Sequence, residues 1–288
     1  MGAADGEDFG RHPVVAADPR QRLQQVQQVQ QVRRTSEETP TAFLRRQAAM
    51  HDLVWVVAPE SGGVLASLRA AVADRQWLGC SRQAIDIAGS KRATAALLGA
   101  AGIATPLGIV APCATQPATE AARSGGAARW VVKPDDGCGA VGVRRHDDYD
   151  AACADHAGRL LRHSVPVMEP WIDGEPLSVA MLCEQRDVEV LAVNRQRLTL
   201  DDKGWISFDG VSVNAVGGTQ AQAVAALARQ VWSALPGLWG FVGIDVTWHP
   251  ARGPVVIEVN PRVTCAYEGL SASLGFNVAQ RMLALHRQ

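Results

Sequence analysis

Gly243-Ile-Asp245-Val246 and Val256-Ile-Glu258-Val-Asn260-Pro-Arg262 decide how this chain is read. Each is a short apolar run broken by a carboxylate, and the two flank the turn-forming stretch His249-Pro-Ala-Arg-Gly253. That arrangement predicts a β-hairpin, with strands over Phe241 to Trp248 and Val255 to Val259. A carboxylate in a buried strand is costly unless it is paired or bound to a metal. Side chains alternate along a strand, so Glu258 and Asn260 share a face, and in the hairpin Asp245 lies across from them. Two carboxylates and an amide oxygen are hard ligands that suit Mg2+ held together with substrate phosphates. For either acid alone, a salt bridge to a nearby arginine is the plainer alternative. The spacing of the whole set favours the metal.

Upstream, Trp130-Val-Val-Lys133 reads as a strand and Ala140 to Arg144 as another, with a glycine-rich turn at 137–139 between them. Gly137-Cys-Gly139-Ala-Val-Gly142 fits the dinucleotide-binding fingerprint G-x-G-x-x-G. That fingerprint should open a helix directly after its strand and be followed about 20 residues later by a ribose-binding acid at a strand end. Here Lys133-Pro-Asp-Asp136 intervenes, a strand follows, and the later region is predicted helix. A glycine-rich hairpin folding its N–H groups over phosphates fits better, with Lys133 at the strand end as the point charge; a plain hairpin turn is the alternative.

Ser90 caps a predicted helix over Lys91 to Ala100, which Gly102 closes. Leu53 to Ala58 reads as a buried strand leading into Pro59-Glu60-Ser-Gly-Gly63, Val64 to Trp77 has helical spacing, and a second short strand is expected near Leu78. Asp147 is the expected cap of a helix running to about His163. Val165 to Ile172, Leu177 to Cys183 and Val188 to Leu198 read as strands. Thr219 to Leu235 reads as a helix stopped by Pro236-Gly237, and a last helix runs from about Asn277 to the end. Antiparallel hairpins dominate the second half, so the fold class is α+β (α/β) without an unbroken βαβ alternation. Gln24 to Val32 repeats every three residues, a period that suits neither a helical stripe nor a strand, and residues 1–40 read as a disordered low-complexity tail.

Composition narrows the function classes. The 288 residues carry a formal net charge of -1, which argues against binding nucleic acid through a general basic field. No run of about 18 apolar residues occurs, and the N-terminus lacks the pattern of a signal peptide, so neither membrane nor export is expected. The six cysteines are scattered without a C-x-x-C pair, which reads as reduced thiols in a cytoplasmic protein. Of 28 basic residues only Lys91, Lys133 and Lys203 are lysines. A compact ammonium is not interchangeable with a guanidinium where a point charge must fit a site.

Lys91 on a helix, Lys133 before a glycine lid, Val167-Met-Glu169-Pro-Trp-Ile172 and Asp245…Glu258-x-Asn260 occur in that order. The series resembles the ATP-grasp superfamily of ligases over roughly residues 80 to 288. Trp55 to Glu60, Trp77 to Cys80, Ala192 to Gln196 and Glu258 to Tyr267 are similar to the tyramine–glutamate ligase group of methanofuran and methylofuran biosynthesis. The resemblance implies an ATP-grasp fold, two α+β subdomains gripping ATP behind a shortened N-terminal α/β domain. The expected division is a tail at 1–40, a partial N-terminal domain at 41–85, a central subdomain with the glycine lid at 86–165 and a C-terminal subdomain with the metal site at 166–288.

It also implies roles. Lys91 and Lys133 bind the ATP phosphates under the lid formed by Gly137 and Gly139. Glu169 and the backbone near Trp171 face adenine, and Glu175 faces the ribose. Asp245, Glu258 and Asn260 hold Mg2+, with Mn2+ as a substitute. Arg262 lies at the transferred phosphate, Arg197 and Asn194 at phosphate or substrate, and Lys203 in a turn near the site. The implied function is an ADP-forming carboxylate–amine ligase that works through an acyl phosphate and joins glutamate to tyramine or tyrosine. The alternative is a non-catalytic ATP-binding protein of the same fold, because the glutamine–valine repeat stands where the family carries glycine-rich segments. Expected partners are small-molecule carboxylate and amine substrates, with no nucleic acid and no membrane, and a homodimer is left open.

Overall fold

The computed structural model describes residues 30–106, 129–162 and 165–286, so residues 1–29 of the expected tail lie outside the described residues. Helix α1 (Pro40–Ala48) starts at Thr39, whose hydroxyl accepts the Ala42 N–H at 3.1 Å, with proline in the first turn. Of the expected strand at Leu53 to Ala58, only Val54 pairs among the described residues, in a parallel bridge to Trp77. The helical spacing after Gly63 gives helix α2 (Val64–Arg69), which stops early; Val72 turns into the core, and Asp74–Gln76 is a 3-10 turn. Helices α3 (Arg82–Ala88) and α4 (Lys91–Ala100) follow. Ser90 caps α4 through the Ala93 N–H at 3.2 Å, and Gly102 closes it with a φ of 74°.

A small antiparallel sheet comes next. It contains β1 (Trp130–Pro134), β2 (Arg144–His146) and, after helix α5 (Tyr149–Leu161), β3 (Pro166–Pro170), in the order β2-β1-β3. Trp130, Val132 and Met168 pack against Ala152 of α5. Two expectations are corrected here. The second strand begins at Arg144, not Ala140, because Gly139, Ala140 and Gly142 have φ of 63°, 62° and 71° and curl the chain. The cap of α5 is Asp148, not Asp147, its Oδ1 accepting the Ala151 N–H at 2.7 Å.

The larger sheet is also antiparallel, with β4 (Glu175–Cys183), β5 (Val188–Leu200), β6 (Ile206–Ser212), β7 (Gly240–His249) and β8 (Gly253–Asn260) in the order β6-β5-β4-β7-β8. Alternation divides β4 between two cores. Val179 and Met181 join Val224 and Val231 of α6 (Gly218–Ala234), along with Leu65, Ala84 and Leu98 of α2, α3 and α4. Ala180 and Leu182 join Leu270 of α7 (Leu270–Leu274) and Val278 and Met282 of α8 (Val278–His286). The N-terminal helices therefore pack on the larger sheet.

The tip of the β5–β6 hairpin crosses to the small sheet. The Arg145 N–H donates to the Gly204 carbonyl at 2.8 Å and the Ile206 N–H to the Val143 carbonyl at 3.0 Å. A cleft lies between the two sheets, roofed by this contact. No helix among the described residues is long and apolar enough to cross a membrane. Among the described residues Cys80, Cys138, Cys183 and Cys265 are free.

Candidate active site

The cleft has a volume of about 220 Å³ and is lined from both sheets. Lys91, Lys133, Gly137, Gly139, Glu169 and Trp171 face it on one side, and Asp245, Glu258, Asn260 and Arg262 on the other. Residues from five separate stretches of sequence thus meet in one place.

Lys91 is the first residue of α4, and Asp135, just after β1, fixes that helix start. The Ser90 hydroxyl donates to Asp135 Oδ2 at 2.8 Å and the Arg92 N–H to Asp135 Oδ1 at 3.0 Å. An acid at a helix start offsets the positive end of the helix dipole. From there the Lys91 ammonium donates to the Gly137 carbonyl at 2.5 Å and lies 3.2 Å from Glu258 Oε1. Lys133, on β1, forms a buried ion pair with Glu169 on the neighbouring strand β3. Burial pushes the Glu169 carboxyl up, and the Lys133 charge opposes that shift.

On the facing sheet Asp245 of β7 pairs across the ladder with Glu258 of β8, two residues before Asn260. Asp245 accepts from the Gln196 amide at 2.9 Å and from the Asn260 amide at 3.3 Å. Arg262 donates to the Asn260 side-chain oxygen at 3.3 Å and to Glu60 at 2.9 Å. The Asp245 carboxyl is pushed up to about 7, first by burial and then by the neighbouring Glu258. Lys91 at Glu258 and Arg262 near Asp245 offset only part of this repulsion, and a divalent cation would supply the rest. The donor set of two carboxylates and one amide oxygen also matches hard-cation chemistry. Among the described residues no three or more His, Cys, Asp or Glu side chains gather into a metal-holding group, so the Asn260 oxygen is what extends the pair. The residues fit Mg2+ shared with phosphates.

Four of the expected residues, Glu175, Arg197, Asn194 and Lys203, do not line the cleft. Glu175 pairs with Arg195 and accepts from Gln220 at 2.9 Å; these hydrogen bonds, Gln220 first, hold its carboxyl below the usual range. Arg197 donates to the Ser212 hydroxyl at 3.1 Å and the Asp209 carbonyl at 3.3 Å. Alternation along β5 explains the difference: Gln196 and Leu198 face the cleft, so Arg197 faces away. Asn194 is fully buried and binds Ser178 and the Asn214 N–H. Lys203 lies exposed in the hairpin turn, where its carbonyl accepts from Arg144 at 2.9 Å. The reading by residue type passed over Gln196, whose parity with Asn194 was a usable signal. It also gave no role to Glu60, for which no local signal exists.

Comparison with known proteins adds the family. Residues 88–266 match the ATP-grasp domain and residues 12–85 the pre ATP-grasp 3 domain. The tyramine–L-glutamate ligase of Methanocaldococcus jannaschii is 27% identical over 224 residues, which are 77% of this chain and 59% of that protein. The one from Methanocaldococcus fervens is 24% identical over 221 residues, 76% of this chain and 61% of that protein. The chain thus spans about three fifths of the length of these curated relatives. Among solved structures, the L-amino acid ligase from Bacillus licheniformis superposes with a TM-score of 0.67 at 19% identity, covering 85% of this chain and 59% of that one. The D-alanine–D-alanine ligase from Bacillus anthracis complexed with ATP gives 0.64 at 18%, covering 87% and 82%.

Proposed function

Because the chain belongs to the ATP-grasp family, we propose that it is an ATP- and Mg2+-dependent carboxylate–amine ligase, with glutamate and tyramine or tyrosine as first candidate substrates in methanofuran- or methylofuran-type cofactor synthesis. The observation that carries this reading is the meeting of Lys91, Lys133 and Glu169 with Asp245, Glu258, Asn260 and Arg262 around one cleft. A cytoplasmic enzyme of the four segments set out above is part of the same reading.

A carboxylate is a poor acyl donor because its oxygen leaves poorly. Transfer of the ATP γ-phosphoryl group to that oxygen gives an acyl phosphate; the amine attacks its carbonyl carbon, and phosphate departs. Most of the protein's work is positioning and charge neutralisation. Lys91 and Lys133 bind phosphate oxygens, and Arg262 faces the transferring group. Gly137 and Gly139 let the lid backbone approach the phosphates and exclude water, which protects the acyl phosphate from hydrolysis. Asp245, Glu258 and Asn260 would hold Mg2+, which neutralises phosphate charge when bound. Arg197 and Glu175, which do not line the cleft, take no part in a step of this reading.

The test is ADP release with glutamate and a panel of amines that includes tyramine and tyrosine. Turnover with one amine is expected. ATP binding without turnover on any of them would leave a nucleotide-binding protein of the same fold. Lys133→Ala and Glu258→Gln should each abolish Mg·ATP-dependent product formation while circular dichroism stays unchanged. Near-wild-type turnover in either variant removes that residue from the mechanism.

A further inference from the structure

Arg262 is held by three partners, one of them from the far end of the chain. Its Nε–H donates to Glu60 Oε2 at 2.9 Å, Nη1 to the Val263 carbonyl at 3.1 Å and Nη2 to the Asn260 side-chain oxygen at 3.3 Å. Glu60 is 8% exposed, and its own side chain is not among the cleft's lining. Through Asn260 the contacts continue to Asp245 and on to Gln196. A single series of polar contacts therefore runs from the N-terminal segment to the middle of the larger sheet.

The loop that carries Glu60 also grips the root of the glycine lid. The Ser61 hydroxyl donates to the Asp136 carbonyl at 2.8 Å, and the Gly62 N–H donates to Asp136 Oδ2 at 2.8 Å. Gly62 and Gly63 make this turn with φ of 63° and 67°, which glycine adopts freely. Arg262 and the lid are thus set by one loop.

A guanidinium stabilises developing charge only if its fork is already aimed when the reaction begins. A buried carboxylate on its Nε edge removes the freedom to swing away. We infer that Glu60 is a positioning residue: it fixes the guanidinium of Arg262 at the edge of the cleft and so makes the N-terminal segment part of the reacting centre. The importance of Arg262 itself rests on the ligase reading above.

Glu60→Gln keeps the shape and removes the charge; Glu60→Asp keeps the charge on a shorter arm. In Glu60→Gln, kcat should fall about 100-fold, as for a misplaced reacting group, while KM for ATP changes little. Glu60→Asp should recover part of the loss. In an Arg262→Lys background, Glu60→Gln should cost nothing further, because the two act as a unit. A purely structural staple would instead lower the melting temperature and leave kcat per folded molecule unchanged. That result, or additive losses in the double variant, would overturn the inference.

A second readout does not need turnover. In spectra of 15N-arginine-labelled protein, the Arg262 Nε–H signal, assigned by its loss in Arg262→Lys, should shift or broaden in Glu60→Gln. A signal that stays in place overturns the inference. If no amine supports ADP release, the ligase reading falls, and the arginine signal still decides whether Glu60 holds Arg262.

Discussion

Lys91 makes its contacts with one small ammonium inside a space that is 7% exposed on its side chain. The Gly137 carbonyl and Glu258 lie on either side of that nitrogen. A guanidinium is planar and larger, and it cannot occupy the point between them without pushing the lid root or β8 aside. Lys91→Arg should therefore raise KM for ATP about tenfold to 100-fold, the effect of one lost charged hydrogen bond. Lys203→Arg is the internal control. Lys203 is exposed and its backbone, not its ammonium, makes the contact to Arg144, so KM for ATP should stay unchanged. Steady-state ATP titrations of both variants check this, and equal effects would show that the preference for lysine is not specific to the buried position.

The element that closes the cleft is the β5–β6 hairpin, and its tip depends on Gly204. A Cβ there would lie 2.2 Å from the Arg145 carbonyl oxygen, and φ is +83°. Gly204→Ala should cost about 1–3 kcal/mol of backbone strain and also lift the tip off β2, weakening ATP binding. Gly253, in the β7–β8 turn, has φ of +75° but nothing within 4 Å of an added Cβ. Gly253→Ala should therefore cost about 1–2 kcal/mol from the left-handed backbone alone and leave ATP affinity intact. Urea denaturation and nucleotide titration of the pair separate strain from lost docking; equal ATP affinities would remove the docking role. The same hairpin shows where sequence reading stops. The β7–β8 hairpin was legible, because a period of two with a carboxylate on each strand is a local pattern. Strand β6 was not: Gly204 and Gly210 punctuate it, and the bulge between Arg197 and Leu198 breaks its register. The lid was legible as glycine-rich, but its left-handed Ala140 was not, since alanine carries no such signal. The Glu60–Arg262 pair spans 202 residues, and only the folded packing of the N-terminal loop on the larger sheet brings it together.

Across the whole molecule, packing is uneven. The N-terminal helices and the larger sheet share an extensive core, whereas the small sheet and α5 have a core of four buried residues: Trp130, Val132, Ala152 and Met168. Elements with few buried apolar contacts open first. On α5 itself the small unit also buries His156, which is 1% exposed. Burial lowers the His156 pKa below its ordinary 6.5; the nearby Arg159 charge lowers it further, while the Pro166 backbone and Asp155 act the other way. The sign follows from proton binding. Below pH 6.5 the unfolded chain takes up a proton that the folded His156 refuses, so its contribution is full above 6.5 and is lost as pH falls towards the folded value. Asp155 acts only at lower pH: burial raises its carboxyl, but Arg159 and His146 outweigh that and hold it below the ordinary 3.8, so its contribution is unchanged between pH 7.5 and 5.5. Acidification should therefore loosen the small unit before the rest. Hydrogen exchange at pH 7.5 and 5.5 should show protection falling in β1, β3 and α5 while β4 and β7 stay protected. In His156→Phe, which keeps a ring and cannot be protonated, that difference should shrink. Uniform loss across both sheets at pH 5.5 would mean that the two units open as one. ATP would then be gripped by a rigid body rather than by a small lid-bearing unit hinged against a firm base.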